Sequence, residues 1–212
     1  MKKLLILFGF ITMTGCATHA NISMPAVVEV QDKAYENKSI SYKIQYSQPQ
    51  PGVFNEKQQQ ELKPIENSEL SVASAKVLKD LPTYIKKQLP KTTKLITGKN
   101  SDLELVIELY AFDKRGPAYA DFEAGKSLGK SLLTLGIGSS EYDIIADFDA
   151  KYILRKNNTE VFAKTYKVKE QVDHQRDKFE DFTALDDLSS RMLEKHLILT
   201  LNDFFKTAAP KL

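Results

Sequence analysis

Alternation of apolar and polar residues predicts four strands in this chain. Half-buried strands place every second side chain on the core face and favour β-branched and aromatic residues there. Asn157 and Asn158 separate the last two of these stretches, and asparagine tolerates the positive φ of a tight turn. The pattern therefore predicts a hairpin preceded by two further strands, with a candidate edge strand at 26–30. The four stretches are residues 40–46, 103–111, 144–154 and 160–172.

Two stretches carry apolar residues at the three- and four-residue spacing of an amphipathic helix. The first begins near Ser68 or Ser71 and runs to Gln88. Pro82 inside it predicts a kink or a division into two short helices, because proline removes a helical hydrogen bond. The second helix begins at 181–183 and continues almost to the end of the chain. Together the elements predict an α+β fold: a mostly antiparallel sheet of about four or five strands, with two long helices packed on one face.

A Gly- and Leu-rich insertion, residues 116–140, lies between the second and third predicted strands. Loops this long inside a compact domain are uncommon and often functional. One interpretation is a short helix packed on the sheet. Another is a surface helix whose apolar residues contact lipid or a partner, while Lys126 and Lys130 reach back to water. A phosphate-binding loop around 125–127 is rejected, since neither the earlier glycine of that motif nor a strand leading into it is present. The predicted membrane- or partner-contact residues are Leu128, Leu132, Leu133, Leu135 and Ile137.

The start of the chain has the layout of an export signal. A positive beginning, Met1-Lys2-Lys3, precedes the apolar run 4–11, and small residues close it at Thr14-Gly15. The run is far shorter than the ~20 residues that span a bilayer. Because Cys16 follows directly, the segment resembles a bacterial lipoprotein signal. That resemblance implies that Cys16 becomes the first residue of the mature chain and carries lipid. A plain secretory signal, cut within 17–20, is the alternative.

Three parts of the chain follow from these features: a signal peptide at 1–15, a lipidated cysteine with a flexible tether at 16–38, and a single periplasmic α+β domain at 39–212. The formal net charge of +2 falls to zero when Lys2 and Lys3 leave with the leader. A neutral domain has no electrostatic basis for binding nucleic acid. Cys16 is the one cysteine, so the folded part can form neither a disulfide nor a thiolate metal site.

Nothing in the residue pattern indicates an enzyme. His174 lies in the charged stretch 173–180 and is expected to be solvated, whereas His196 lies on or beside the apolar face of the final helix and is expected at the core boundary. Neither belongs to a His-x-x-x-His pair or a Cys/His cluster, so no metal and no cofactor are predicted. Asp147 and Asp149 share one strand face, where an exposed polar row is favoured over a paired-carboxylate site. No serine stands in a nucleophile-elbow context.

Several stretches together resemble the small YajG-type bacterial lipoproteins and the auxiliary lipoproteins of lipid-handling ABC transporters. They are 101–107, 142–146, the hairpin at Asn157-Asn158 and the final helix, behind the predicted lipid attachment at Cys16. The resemblance implies a non-catalytic accessory or partner-binding protein, held in the membrane by its N-terminal lipid, with an envelope protein as partner. Since Ala17 is not the aspartate that retains such proteins at the inner membrane, it implies the outer membrane, with the domain facing the periplasm. The alternative is a lipid- or glycan-binding module of an envelope transport system. The oligomeric state is left open.

Overall fold

A computed structural model describes residues 19–51, 58–98, 100–125, 127, 140–177 and 180–212. Seven strands and two long helices form one α+β unit. Short 3-10 turns at Ile65–Asn67 and Ala209–Lys211 complete it. The strands are β1 (Ser39–Ser47), β2 (Lys63–Pro64), β3 (Lys94–Ile96), β4 (Leu103–Ala111), β5 (Ala118–Phe122), β6 (Ser140–Lys156) and β7 (Thr159–Arg176), and the helices are α1 (Val72–Gln88) and α2 (Thr183–Ala208).

The sheet is mixed, and the prediction of a mostly antiparallel sheet of four or five strands is wrong. β1 runs parallel to both β3 and β4, whereas the β1–β2, β4–β6, β5–β6 and β6–β7 pairs are antiparallel. The parallel β1–β4 pair follows from α1, which lies between the two strands in sequence and returns the chain to the same end of the sheet. β2, β3 and β5 are too short for alternation to reveal them.

The long strand β6 is paired on both edges. One edge pairs with β7 over its whole length, from Ser140 opposite Arg176 to Lys156 opposite Thr159. The other edge pairs first with β5 and then with β4, and both neighbouring backbones bond to Asp147 between these two pairings. The predicted hairpin is confirmed, with φ of 51° and 62° at its two asparagines. β7 extends beyond the predicted residue 172, so residues 173–176 belong to the sheet and not to an exposed linker.

Both helices cover the same face of the sheet, as predicted. α1 is one helix with Pro82 inside it and not two short ones, and the Ser71 side chain caps its first turn by accepting from Ser74 N at 3.3 Å. Alternate β6 side chains pack beneath the helices, and Phe148, Tyr152 and Leu154 are fully buried. Among the described residues, neither helix combines the length and apolarity needed to cross a bilayer.

The sheet face opposite the helices carries a polar lattice. Glu104 pairs with Lys43 at 2.5 Å and Arg155 at 3.6 Å, and the contact with Lys43 holds the pKa of Glu104 below its usual value. On the same face, Val106 and Ile153 lie opposite each other and are buried. Asp147 and Asp149 lie on this face in the register of Lys169 and Lys167, which agrees with the predicted polar row.

The described part of the predicted tether, residues 19–38, packs against the domain. Ile22, Val30 and Tyr35 are buried. Asn202 of α2 clamps residues 26–28 by accepting from Val28 N and donating to Ala26 O, which keeps this stretch along the helix instead of at a sheet edge. The segment is therefore part of the folded unit, which differs from the flexible tether and the edge strand predicted.

Tyr35→Phe tests whether this segment contributes to folding. The buried Tyr35 hydroxyl donates to Phe205 O at 2.9 Å, so the variant leaves a buried carbonyl with one partner fewer. We expect the free energy of unfolding to fall by about 1 kcal/mol, measured by urea denaturation. Tyr42→Phe, on β1, is the matched control and should change it less. Equal stability of wild type and Tyr35→Phe would contradict the integral role of the segment.

Candidate functional site

The N-terminal segment meets the end of β7 at His174. Ala20 N donates to His174 Nδ1 at 3.2 Å, and the His19 and His174 ring centroids lie 5.8 Å apart. His19 is the first described residue and stands three positions after Cys16. Three residues reach at most about 10 Å. The predicted lipidation position itself lies outside the described residues.

His174 is buried, so the prediction of a solvated side chain is wrong. It is 2% exposed because it lies in β7 opposite Tyr142 and beneath the N-terminal segment. Its Nε2 lies 3.3 Å from Glu180 Oε1, within ion-pair distance, but the two are not aligned as a hydrogen bond. Within the described structure this nitrogen is thus a buried polar atom without a hydrogen-bond partner, a rare and costly state.

Glu180 is held in place by its own neighbours. Arg176 Nη2 donates to Glu180 O at 2.7 Å, and Asp177 N donates to Glu180 Oε2 at 3.4 Å. The other carboxylate oxygen, Oε1, is the one that faces His174. Local contacts of the turn after β7 therefore hold this carboxylate with Oε1 next to the buried imidazole.

A His–His–Glu cluster results, although no metal ligands were predicted. One donor atom each from His19, His174 and Glu180 lies within 4.8 Å of the others. Asp177 Oδ2 adds a fourth donor atom, 3.7 Å from His19 Nε2. These donors come from opposite ends of the chain, so no local spacing of ligands in the sequence indicates them. The one available hint was that histidine is rare in this chain, and the cluster holds two of its three histidines.

Ser127 and Ser140, the described residues of the insertion on either side of residues 128–139, lie at the same end of the sheet. Ser127 Oγ accepts from Glu141 N at 2.9 Å, and Glu123 N donates to Glu141 O at 3.0 Å. Ser140 then begins β6 opposite the end of β7. Part of the insertion forms the unpredicted strand β5. The predicted contact residues lie outside the described residues: Leu128, Leu132, Leu133, Leu135 and Ile137.

Exposed aromatic residues also lie at this end. Phe122, the last residue of β5, is 50% exposed, and Phe182, directly before α2, is 61% exposed. The Arg176 guanidinium stacks 3.6 Å above the Phe182 ring centre. The end of the sheet at His174 thus combines apolar rings, a cation and described residues of both the N-terminal segment and the insertion. We call this end, formed by Phe122, Glu141, His174, Arg176 and Phe182, the anchor end.

The structure confirms the predicted core-boundary position of His196. Its side chain is 15% exposed, and its Nε2 lies 2.8 Å from Glu170 Oε2, although the two are not aligned as a hydrogen bond. Burial lowers the pKa of His196 below 6.5, and the charge of Glu170 opposes this only in part. The folded state therefore prefers the neutral imidazole.

This preference predicts a pH dependence of stability. Below pH 6.5 the unfolded chain protonates His196 first, so it binds more protons than the folded chain and stability falls. We expect the unfolding free energy to decrease between pH 7.5 and 5.5, and to decrease less in His196→Gln, as measured by urea denaturation at both pH values. The pKa of Glu170 is lowered, so protonation of this carboxylate reduces the stability only at more acidic pH. An identical pH slope in wild type and variant would rule out this role of His196.

The larger concave features lined by described residues are surface grooves. One of about 670 Å³ is lined mainly by polar residues such as Gln48 and Gln59, and one of about 550 Å³ has Val28 and Leu199 in its wall. Between helices and sheet, the described side chains are closely packed, with Phe204 fully buried. A lipid-carrying chamber between these layers therefore receives no support from the described residues.

Comparisons with known proteins assign no family. No family model and no curated protein matches the chain. Among solved structures, it is similar to rare lipoprotein B from Shewanella oneidensis, at 13% identity and a TM-score of 0.36, covering 81% of this chain and 94% of that one. It is also similar to a minor lipoprotein from Acinetobacter baumannii, at 10% identity and a TM-score of 0.38, covering 81% and 92%. A third is a proposed homologue of neuraminyllactose-binding hemagglutinin from Helicobacter pylori, at 8% identity and a TM-score of 0.43, covering 90% and 99%. Likenesses at these levels establish neither family nor function.

Proposed function

We propose that the chain is a lipid-anchored lipoprotein of the bacterial outer membrane, whose periplasmic domain is a non-catalytic accessory module that binds an envelope partner. The anchor is lipid on Cys16, as the residues of the leader indicate. The contact surface is the anchor end together with residues 128–139 of the insertion, which connect Ser127 and Ser140 at that end.

One observation carries this proposal: the N-terminal segment and the described residues on either side of residues 128–139 converge on the anchor end. Ala20 is fixed to His174, and Ser127 to Glu141. Because only about 10 Å of chain separates Cys16 from His19, lipid on Cys16 would hold this end of the domain near the membrane surface. The insertion would then reach proteins that lie at that surface, and lipid itself.

The electrostatics of the anchor end agree with such a contact. Exposed Phe122 and Phe182 supply apolar area, and Arg176 supplies a cation beside it. Aromatic residues and arginine are enriched where proteins bind one another. Such rings are also suited to a water–lipid boundary.

Cys16→Ser tests the anchor. We expect the intact mass of the native chain from a membrane fraction to exceed that of its polypeptide from residue 16 by the mass of acyl chains, and the variant to lack this increment. Two or more acyl chains hold a protein firmly in a membrane by burial of apolar groups. We therefore also expect the native protein to resist extraction by salt. Cleavage within 17–20 without added mass would establish the secretory alternative.

Leu132→Asp combined with Leu135→Asp tests the contact surface. A charge on each residue should oppose burial in an apolar interface. Affinity capture from cross-linked membrane fractions should recover at least tenfold less of the partner that the native chain recovers, with Cys16 intact in both. Leu199→Asp, at an exposed leucine of α2, is the matched control and should leave capture unchanged. The same partners at the same yield from the double variant would remove the insertion from the proposal.

A further inference from the structure

We propose that His19, His174 and Glu180 form a binding site for a divalent transition-metal cation, with Zn²⁺ the best match. Two imidazole nitrogens and one carboxylate oxygen are a ligand set that zinc accepts, whereas calcium and magnesium prefer oxygen alone. The donors come from the N-terminal segment, from β7 and from the turn that follows it. The proposal does not depend on lipid attachment or on a protein partner.

The distance between the donor atoms of His174 and Glu180 fits a shared cation. In a tetrahedral zinc site with bonds of about 2.0–2.1 Å, neighbouring ligand atoms lie about 3.3 Å apart. His174 Nε2 and Glu180 Oε1 are 3.3 Å apart but are not aligned as donor and acceptor. Two atoms that bind the same cation lie about this far apart, and they need not be aligned with each other as hydrogen-bond donor and acceptor.

A second observation is the state of His174 itself. The side chain is 2% exposed, and its Nε2 has no hydrogen-bond partner among the described residues. This nitrogen lies 3.3 Å from Glu180 Oε1, and one donor atom each of His19, His174 and Glu180 lies within 4.8 Å of the others. A cation there would satisfy a buried atom that the protein otherwise leaves unpaired.

Binding would require a small rearrangement of the N-terminal segment. The His19 side chain is 52% exposed and has room to turn inwards, and Asp177 beside it can supply a fourth ligand. A cation on Nε2 uses that nitrogen's lone pair and places the imidazole proton on Nδ1. Ala20 N then loses its acceptor, and ligation by His19 replaces that link between the segment and β7. The cation would thus fix the position of the first residues after Cys16.

The test uses the purified full-length chain in detergent, with its N-terminus established by intact mass so that loss of His19 by cleavage is recognised. We expect one equivalent of Zn²⁺ by calorimetry, and a visible absorption band typical of tetrahedral coordination when Co²⁺ is the probe. His19→Ala and Glu180→Gln should each weaken Zn²⁺ binding at least tenfold and abolish the Co²⁺ band. His196→Gln removes the remaining histidine, which lies outside the cluster, and should bind as the wild type does.

His19 and Glu180 are accessible, so their variants report on binding even where His174→Gln fails to fold. Far-UV circular dichroism checks that each variant is folded. Absence of Zn²⁺ binding by the wild type, or binding unchanged in both His19→Ala and Glu180→Gln, would overturn the proposal. Equal weakening by His196→Gln would do the same. Metal binding by a chain that lacks lipid and captures no partner would support the site and still contradict the proposed function.

Discussion

The backbone hydrogen bonds of β6 hold three strands in register and thereby place the ends of distant segments. One edge carries β7 along its full length, while the other carries β5 and then β4. A shift of one residue would turn every buried β6 side chain to the polar face, so the buried row from Ile144 to Leu154 maintains this register. The same register sets Ser140 beside Arg176 and Tyr142 beside His174. The anchor end is therefore a consequence of how the core of the sheet pairs.

Sequence patterns predicted the parts of the fold that repeat a period over many residues. Residues 103–111 and 144–154 alternate long enough to identify β4 and β6, and the asparagine pair identifies the hairpin. Direction of pairing has no such local signature: β1 lies parallel to β4 because α1 returns the chain between them. β2, β3 and β5 depend on a neighbour already in place, and two to five residues are too few to show alternation.

The anchor end was missed for a different physical reason. Residues 173–176 look like an exposed linker because they are polar, yet β6 continues opposite them and keeps them in the sheet. His174 becomes buried only when residues from the start of the chain cover it, and 154 positions separate Ala20 from its imidazole acceptor. Likewise, polar residues at 17–24 gave no sign that Ile22 would be buried. Burial by a distant segment leaves no periodicity in either partner.

An unpaired buried nitrogen has a cost that the rest of the fold must offset. Leaving such an atom without a partner costs about 1–3 kcal/mol, against a total stability of about 5–15 kcal/mol for an ordinary domain. A phenylalanine at position 174 would avoid that cost, but it would also remove the acceptor of Ala20 N. Other buried polar groups are paired, as when the Tyr152 and Thr200 hydroxyls meet at 2.8 Å, whereas Gln88 Oε1 and His196 Nε2 share the unpaired state of His174 Nε2. What distinguishes His174 is that donor atoms of His19 and Glu180 lie within 4.8 Å of its own donor atom. The proposed cation would give this buried atom a partner and would offset the cost of leaving it unpaired.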